Sequence, residues 1–148
     1  MPIHAPDLTQ RPPRSARVRL GGYVSLPRLL DKGRAAVIGK LGEFNYNCPL
    51  DQRFLDFVGL DAELLKTQLA QDKSDAEMLD WIKANAKFKR TPEEIAAWSK
   101  EQEQRGPDAD SQKYFDDYHS KMAPHRKDVA TWYELLDIDD FVSYGGKA

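Results

Sequence analysis

Cys48 is the first residue in this chain that could do covalent chemistry. In the stretch Tyr46-x-Cys48-Pro49-x-Asp51 the thiol stands directly before a proline that opens a helix. There the positive end of the helix dipole suits an anionic nucleophile. A nucleophile also needs a base, and His4, His119 and His125 all lie far away in sequence, so the helper would be Asp51 or a histidine that the fold brings close. As the chain's single cysteine, Cys48 forms no internal disulfide and no multi-cysteine zinc site. Its alternative role is that of a small buried hydrophobe.

The second source of chemistry is cationic. Arg28 and Lys32 share a helical face at i, i+4, Arg34 turns away from them, and Arg28 and Asp31 are spaced to pair. Together with Arg11, Arg14, Arg17 and Arg19 these groups could hold a phosphate or carboxylate, because each guanidinium offers a planar fork of donors. The whole chain carries a net charge of −2, from 22 Lys and Arg against 24 Asp and Glu. Residues 1–40, however, hold eight Lys and Arg against two Asp, a net of +6, which leaves −8 for the remainder. That split favours internal neutralisation, with the leading cations laid against Asp116, Asp117, Asp137, Asp139 or Asp140 of the body.

Other constellations fall short of their chemistry. Asp137, Asp139 and Asp140 lack the glycine and closing glutamate of a calcium loop, and His119 and His125 are six apart with Pro124 between them. Gly39-Lys40-Leu41-Gly42 has the form of the Gly-x-x-Gly loop of KH RNA-binding domains, but it does not lead directly into a helix. No metal and no cofactor is expected. Trp81, Trp98 and Trp132 are assigned to the core.

These side chains need a frame, and the residue pattern predicts an all-α one. At 148 residues with 41% hydrophobic content the chain can bury a core as a single domain. No apolar run approaches the ~20 residues of a membrane span, and Met1-Pro2-Ile3-His4-Ala5-Pro6 lacks the character of a signal peptide. The expectation is a soluble, cytoplasmic protein. Residues 1–24, with four prolines and a Gly21-Gly22 turn, are expected to form an extended basic arm packed on the body. Residues 25–142 then read as a helical domain of about six to seven short helices, followed by a loose end over 143–148.

The helix starts are legible as caps. Ser25 precedes Leu26, Leu29, Leu30, Gly33 and Val37 on one face; Pro49 opens a helix ending at Gly59; and Asp61 caps a short helix reaching about Gln71. Ser74 with Glu77 and Thr91 with Glu94 are capping boxes. The helix from Thr91 should run to Arg105 with its polar C-terminal half in water, a sixth should cover about Asp110 to Ala123, and a seventh should begin after Asp128. Arg17-Val18-Arg19-Leu20 alternates without a signalled strand partner.

Three segments carry a family resemblance. They are Leu20-Gly21-Gly22-Tyr23, the run from Leu26 to Ala35, and Gly42-Glu43-Phe44-Asn45-Tyr46-Asn47-Cys48-Pro49-Leu50-Asp51. With Phe57 to Asp61 and Trp132 to Asp140, they make most of the chain resemble a bacterial family of uncharacterised proteins, domain of unknown function 5069. The resemblance implies a stand-alone, single-domain bacterial protein. It brings no substrate, cofactor or catalytic residue.

The functional expectation is therefore a non-enzymatic protein that binds a small anionic ligand or a protein partner near Arg28, Arg34, Tyr46, Cys48 and Asp51. The alternatives are an enzyme with Cys48 as nucleophile, and weak nucleic-acid binding through the basic leading segment, the latter disfavoured. No membrane partner is expected.

Overall fold

A computed structural model describes residues 2–147. Seven helices and one two-stranded sheet make up the regular structure of the described residues. The chain enters through an irregular leading segment and forms the hairpin β1 (Arg19–Leu20) and β2 (Tyr23–Val24). The helices α1 (Leu26–Val37), α2 (Pro49–Val58), α3 (Ala62–Leu69), α4 (Asp75–Asn85), α5 (Pro92–Gln104), α6 (Gln112–Met122) and α7 (Trp132–Ser143) follow.

Local chemistry explains most helix ends. Asp61 accepts from the backbone N–H of Leu64 at 2.9 Å, and Ser74–Glu77 and Thr91–Glu94 close as reciprocal capping boxes. Gly59 ends α2 in the left-handed region at φ 73°, where a residue without a Cβ is unstrained. Four expectations need correction. Arg19–Leu20 does have a partner, the next two residues after the Gly21-Gly22 turn, in antiparallel register Leu20 to Tyr23. Both turn glycines have positive φ, 59° and 84°, as a tight two-residue hairpin demands.

Ser25 does not cap α1 with its side chain; it sits at φ 62°, buried, and its backbone N–H donates to the Ala16 carbonyl at 2.7 Å. Helix α7 starts at Trp132 rather than just after Asp128, because Thr131 and Glu134 form a fourth capping box. The C-terminal half of α5 is not given over to water: Ser99 is fully buried and Gln102 nearly so. The Ser99 hydroxyl donates to the Gly22 carbonyl at 2.6 Å and accepts from the Val24 N–H at 3.1 Å, so a polar residue on α5 locks the hairpin.

The main core gathers Leu26, Leu29 and Leu30 of α1, Phe54, Leu55 and Val58 of α2, Leu65 and Leu69 of α3, and Met78 and Ile82 of α4. A smaller cluster of Phe115, Val129, Leu135 and Ile138 joins α6 to α7. Of the three tryptophans, Trp98 belongs to the main core, while Trp81 and Trp132 pack on the margins of the two clusters.

Helix α1 is the centre of the charge arrangement. Arg28, Asp31 and Lys32 are each less than a tenth exposed, a burial such residues tolerate only with partners. Arg14 of the leading segment hydrogen-bonds Asp31 and pairs with Asp75 at 2.7 Å, Arg17 pairs with Asp137 at 2.9 Å, and Arg19 pairs with Glu103. Leu8 is fully buried; its N–H donates to the Lys40 carbonyl and its carbonyl accepts from the Tyr144 hydroxyl at 2.5 Å. No helix of the described residues is long and apolar enough to cross a membrane.

Candidate functional site

The five residues singled out from the sequence fall into separate clusters. Arg28 grips Asp140 with two bonds, 2.7 and 3.2 Å, while its Nη1 also donates to the Arg14 carbonyl and its guanidinium lies 5.5 Å from the Phe44 ring. Arg28 thus takes Asp140 rather than the neighbouring Asp31, which Arg14 occupies. Burial pushes the Asp140 carboxyl above its ordinary range, against the pull of Arg28.

Arg34 reaches a different carboxylate. Its Nη1 is 2.8 Å from Asp75, and Asp31 stands 3.8 Å away. Burial opposes ionisation of Asp75, but hydrogen bonds from Arg14 and Arg34 outweigh it and hold the carboxyl below its usual value. Tyr46 donates to the Ala62 carbonyl at 2.6 Å, and burial raises its phenol. Cys48 and Asp51 meet Lys32: its Nζ is 3.4 Å from the sulfur, 2.9 Å from Asp51 Oδ2 and 3.1 Å from the Asn45 carbonyl. Asp51 also accepts from the backbone N–H groups of Asn47 and Cys48.

The cations of α1 are consequently answered from inside the molecule. An open depression of about 780 Å³ beside the leading segment is lined by His4, Arg11, Arg14, Asp31 and Arg34. Its two buried-side arginines are matched by Asp31 and Asp75, leaving Arg11.

A different place gathers unanswered charge. A cleft of about 420 Å³, within the size range of small-molecule sites, lies between the hairpin turn, the end of α4 and the start of α5. Gly21, Gly22, Tyr23, Ile82, Ala86 and Ile95 line its walls, and Arg19, Lys83, Lys89 and Arg90 supply cations, with Phe88 alongside. Arg19 is paired with Glu103 and Arg90 faces Glu94 at 3.5 Å. Lys83 and Lys89 have no carboxylate in ion-pair contact among the described residues, nor does the neighbouring Lys87. Lys89 Nζ donates to the Lys83 carbonyl at 2.7 Å, which fixes one ammonium over the last turn of α4.

The fold positions this cleft through α2. Phe88 N–H donates to the Val58 carbonyl at 3.1 Å and Lys87 N–H to the Gly59 carbonyl at 3.4 Å. The Arg90 guanidinium donates twice to the Phe57 carbonyl, at 3.0 and 2.8 Å, and lies 4.2 Å from the Phe57 ring. Gly59 permits the close approach, since a Cβ there would sit 2.7 Å from the Cβ of Lys87. On the other side the hairpin turn is wedged between helices: a Cβ on Gly22 would stand 3.1 Å from Ile95. Burial raises the Tyr23 phenol, so it stays neutral beside the cations.

Chemically the cleft offers fixed positive charge beside apolar surface. Its lining includes no thiol, imidazole, carboxylate or aliphatic hydroxyl. Among the described residues, no three His, Cys, Asp or Glu gather to hold a metal ion.

Charge counted as residues 1–40 against the remainder hides this site, because Lys83 to Arg90 falls in the portion with a net of −8. The available signal was local: four cations and a phenylalanine within the eight residues Lys83-Ala84-Asn85-Ala86-Lys87-Phe88-Lys89-Arg90. No curated protein matches the chain. Residues 10–142 match a family described as Domain of unknown function (DUF5069), and the chain belongs to that family.

Proposed function

We propose that the protein is a non-enzymatic, cytoplasmic bacterial binding protein for a small amphipathic anion, held in the cleft between the hairpin turn and the α4–α5 connection. The observation that carries the reading is the pair of ammonium groups, Lys83 and Lys89, standing without carboxylate partners among the described residues, beside the paired Arg19 and Arg90 and the apolar wall of the cleft. The ligand's apolar body lies against Tyr23, Ile82 and Ile95, and its carboxylate, phosphate or sulfonate faces the lysines. The arginines of α1 contribute stability instead of affinity, since Arg28 and Arg34 already hold Asp140 and Asp75.

The probe pair anilinonaphthalene sulfonate and phenylnaphthylamine separates charge from apolar contact, because the two share an aromatic body and only the first is an anion. The sulfonate binds the native protein, and Lys83→Ala and Lys89→Ala each weaken it about 3- to 5-fold, as expected for about 0.6–1 kcal/mol from a solvent-facing charge contact. Phenylnaphthylamine binding is insensitive to both substitutions. Sulfonate affinity that is unchanged in the double variant, or unchanged between low salt and 0.5 M salt as a chosen upper point on a scale where screening acts over about 10 Å or less, refutes the reading.

A further inference from the structure

Lys32 and Cys48 form a contact that the anion cleft does not use. The Lys32 side chain is 4% exposed, its amine nitrogen touches the Cys48 sulfur at 3.4 Å, and the Asp51 carboxylate sits 2.9 Å from the same nitrogen. Cys48 is half-buried and so less enclosed than Lys32 and Asp51. The residue that carries the sulfur is thus open enough to meet a small oxidant, the buried amine lies 3.4 Å from that sulfur, and a carboxylate is in place to take the amine's proton.

From that juxtaposition we infer that Cys48 and Lys32 are a redox site in which peroxide oxidation joins the two side chains through a sulfur–nitrogen bond. The Cys48 sulfur attacks one oxygen of hydrogen peroxide, the O–O bond breaks, and water leaves as the sulfur becomes a sulfenic acid. Lys32, having passed a proton to Asp51, attacks the sulfur with its nitrogen lone pair. The S–O bond breaks, the departing hydroxide takes the proton held by Asp51 and leaves as water, and the regenerated Asp51 carboxylate accepts the remaining proton of the new S–N centre and passes it to solvent. In sum, one thiol, one ammonium and one peroxide give one S–N link, two waters and one proton released to solvent; sulfur is oxidised by two electrons and peroxide is reduced by two. Thiol reductants reverse the link by attack at the same sulfur. The product removes the ammonium from Asp51, which keeps the N–H groups of Asn47 and Cys48 as donors.

The test is peptide mapping of the intact folded protein after treatment with hydrogen peroxide. Trypsin then fails to cut after Lys32, the peptides containing Lys32 and Cys48 travel together, and the protein is about 2 Da lighter than its reduced form. Dithiothreitol restores both the cut and the mass. Lys32→Arg keeps a cation for Asp51 but no amine, and its Cys48 sulfenic acid is captured by dimedone instead. Mapping of the unsubstituted protein stands alone if that variant does not fold. Oxygen added to Cys48 while trypsin still cuts after Lys32, a joined pair that retains an oxygen atom, or a Cys48 inert to peroxide that oxidises the unfolded chain would each overturn the inference.

Discussion

Replacing Arg28 with methionine probes the internal neutralisation on which the fold rests. Arg28 and Asp140 are bidentate at 2.7 and 3.2 Å, and their side chains are 4% and 11% exposed. Methionine fills much of the same space with no charge, so the principal loss is the partner of Asp140. Orphaning one member of a buried ion pair costs about 3–5 kcal/mol, a large share of the ~5–15 kcal/mol that holds a domain folded. At about 2–4 °C per kcal/mol for a chain of this size, Tm falls by roughly 6–20 °C.

Urea unfolding followed by far-ultraviolet circular dichroism measures the loss, with the slope m expected to stay at its original value. The pH dependence supplies an internal control. Burial already raises Asp140, and removing Arg28 raises it further, so the folded variant binds a proton more readily than its unfolded chain does. Its deficit must therefore shrink as pH falls from 7 toward 5. The double variant Arg28→Met, Asp140→Leu leaves no orphaned charge and should be at least about 2 kcal/mol more stable than Arg28→Met alone. A loss below about 1 kcal/mol in the single variant, or a double variant no better than the single, refutes the reasoning.

Two further outcomes follow from the same geometry. Asp75 is held low by Arg14 and Arg34 in spite of its burial, Glu77 and Glu94 are lowered by the N–H groups of the caps they close, and Asp128 is lowered to about 2, chiefly by Arg126. Because these four folded values lie below the unfolded ones and outnumber the raised Asp140, whose contribution has the opposite sign, stability should decline as pH falls through the range from about 4.5 to 2. An unfolding free energy that rises over that interval contradicts the assignment. Gly59→Ala strains a left-handed position and drives a Cβ to within 2.7 Å of Lys87, displacing the segment that carries Phe88 and Lys89. The expected losses are about 2–4 kcal/mol of stability and a weaker grip on anilinonaphthalene sulfonate; unaltered affinity would mean that α2 does not set the cleft.

What the sequence made legible was mostly short-range. Ser74 with Glu77, Thr91 with Glu94, Asp61 and Gly59 place helix ends through contacts a few residues apart, so residue type and spacing suffice. Thr131 with Glu134 was equally readable, but Val129 fits the period of α7 and disguises its start. The hairpin of β1 and β2 is two residues per strand, too short for alternation to register, and Ser99 anchors it from 77 residues away.

Long-range ion pairing set the harder limit. Composition shows cations concentrated at the front and anions behind, but nothing local distinguishes Asp140, 112 residues from Arg28, from Asp137 or Asp139. The same averaging concealed the cleft, whose basic segment sits in the acidic remainder, and it drew attention to arginines that the folded chain has already matched.

An amide-resolved NMR titration with anilinonaphthalene sulfonate tests the binding proposal most directly. The account predicts shifts concentrated at Gly21 to Tyr23, Lys83, Ala86 and Lys87 to Ile95, with residues near Arg28, Tyr46 and Cys48 unmoved. Shifts centred on Arg28, Arg34 or Cys48, with the Lys83–Lys89 segment silent, would contradict it.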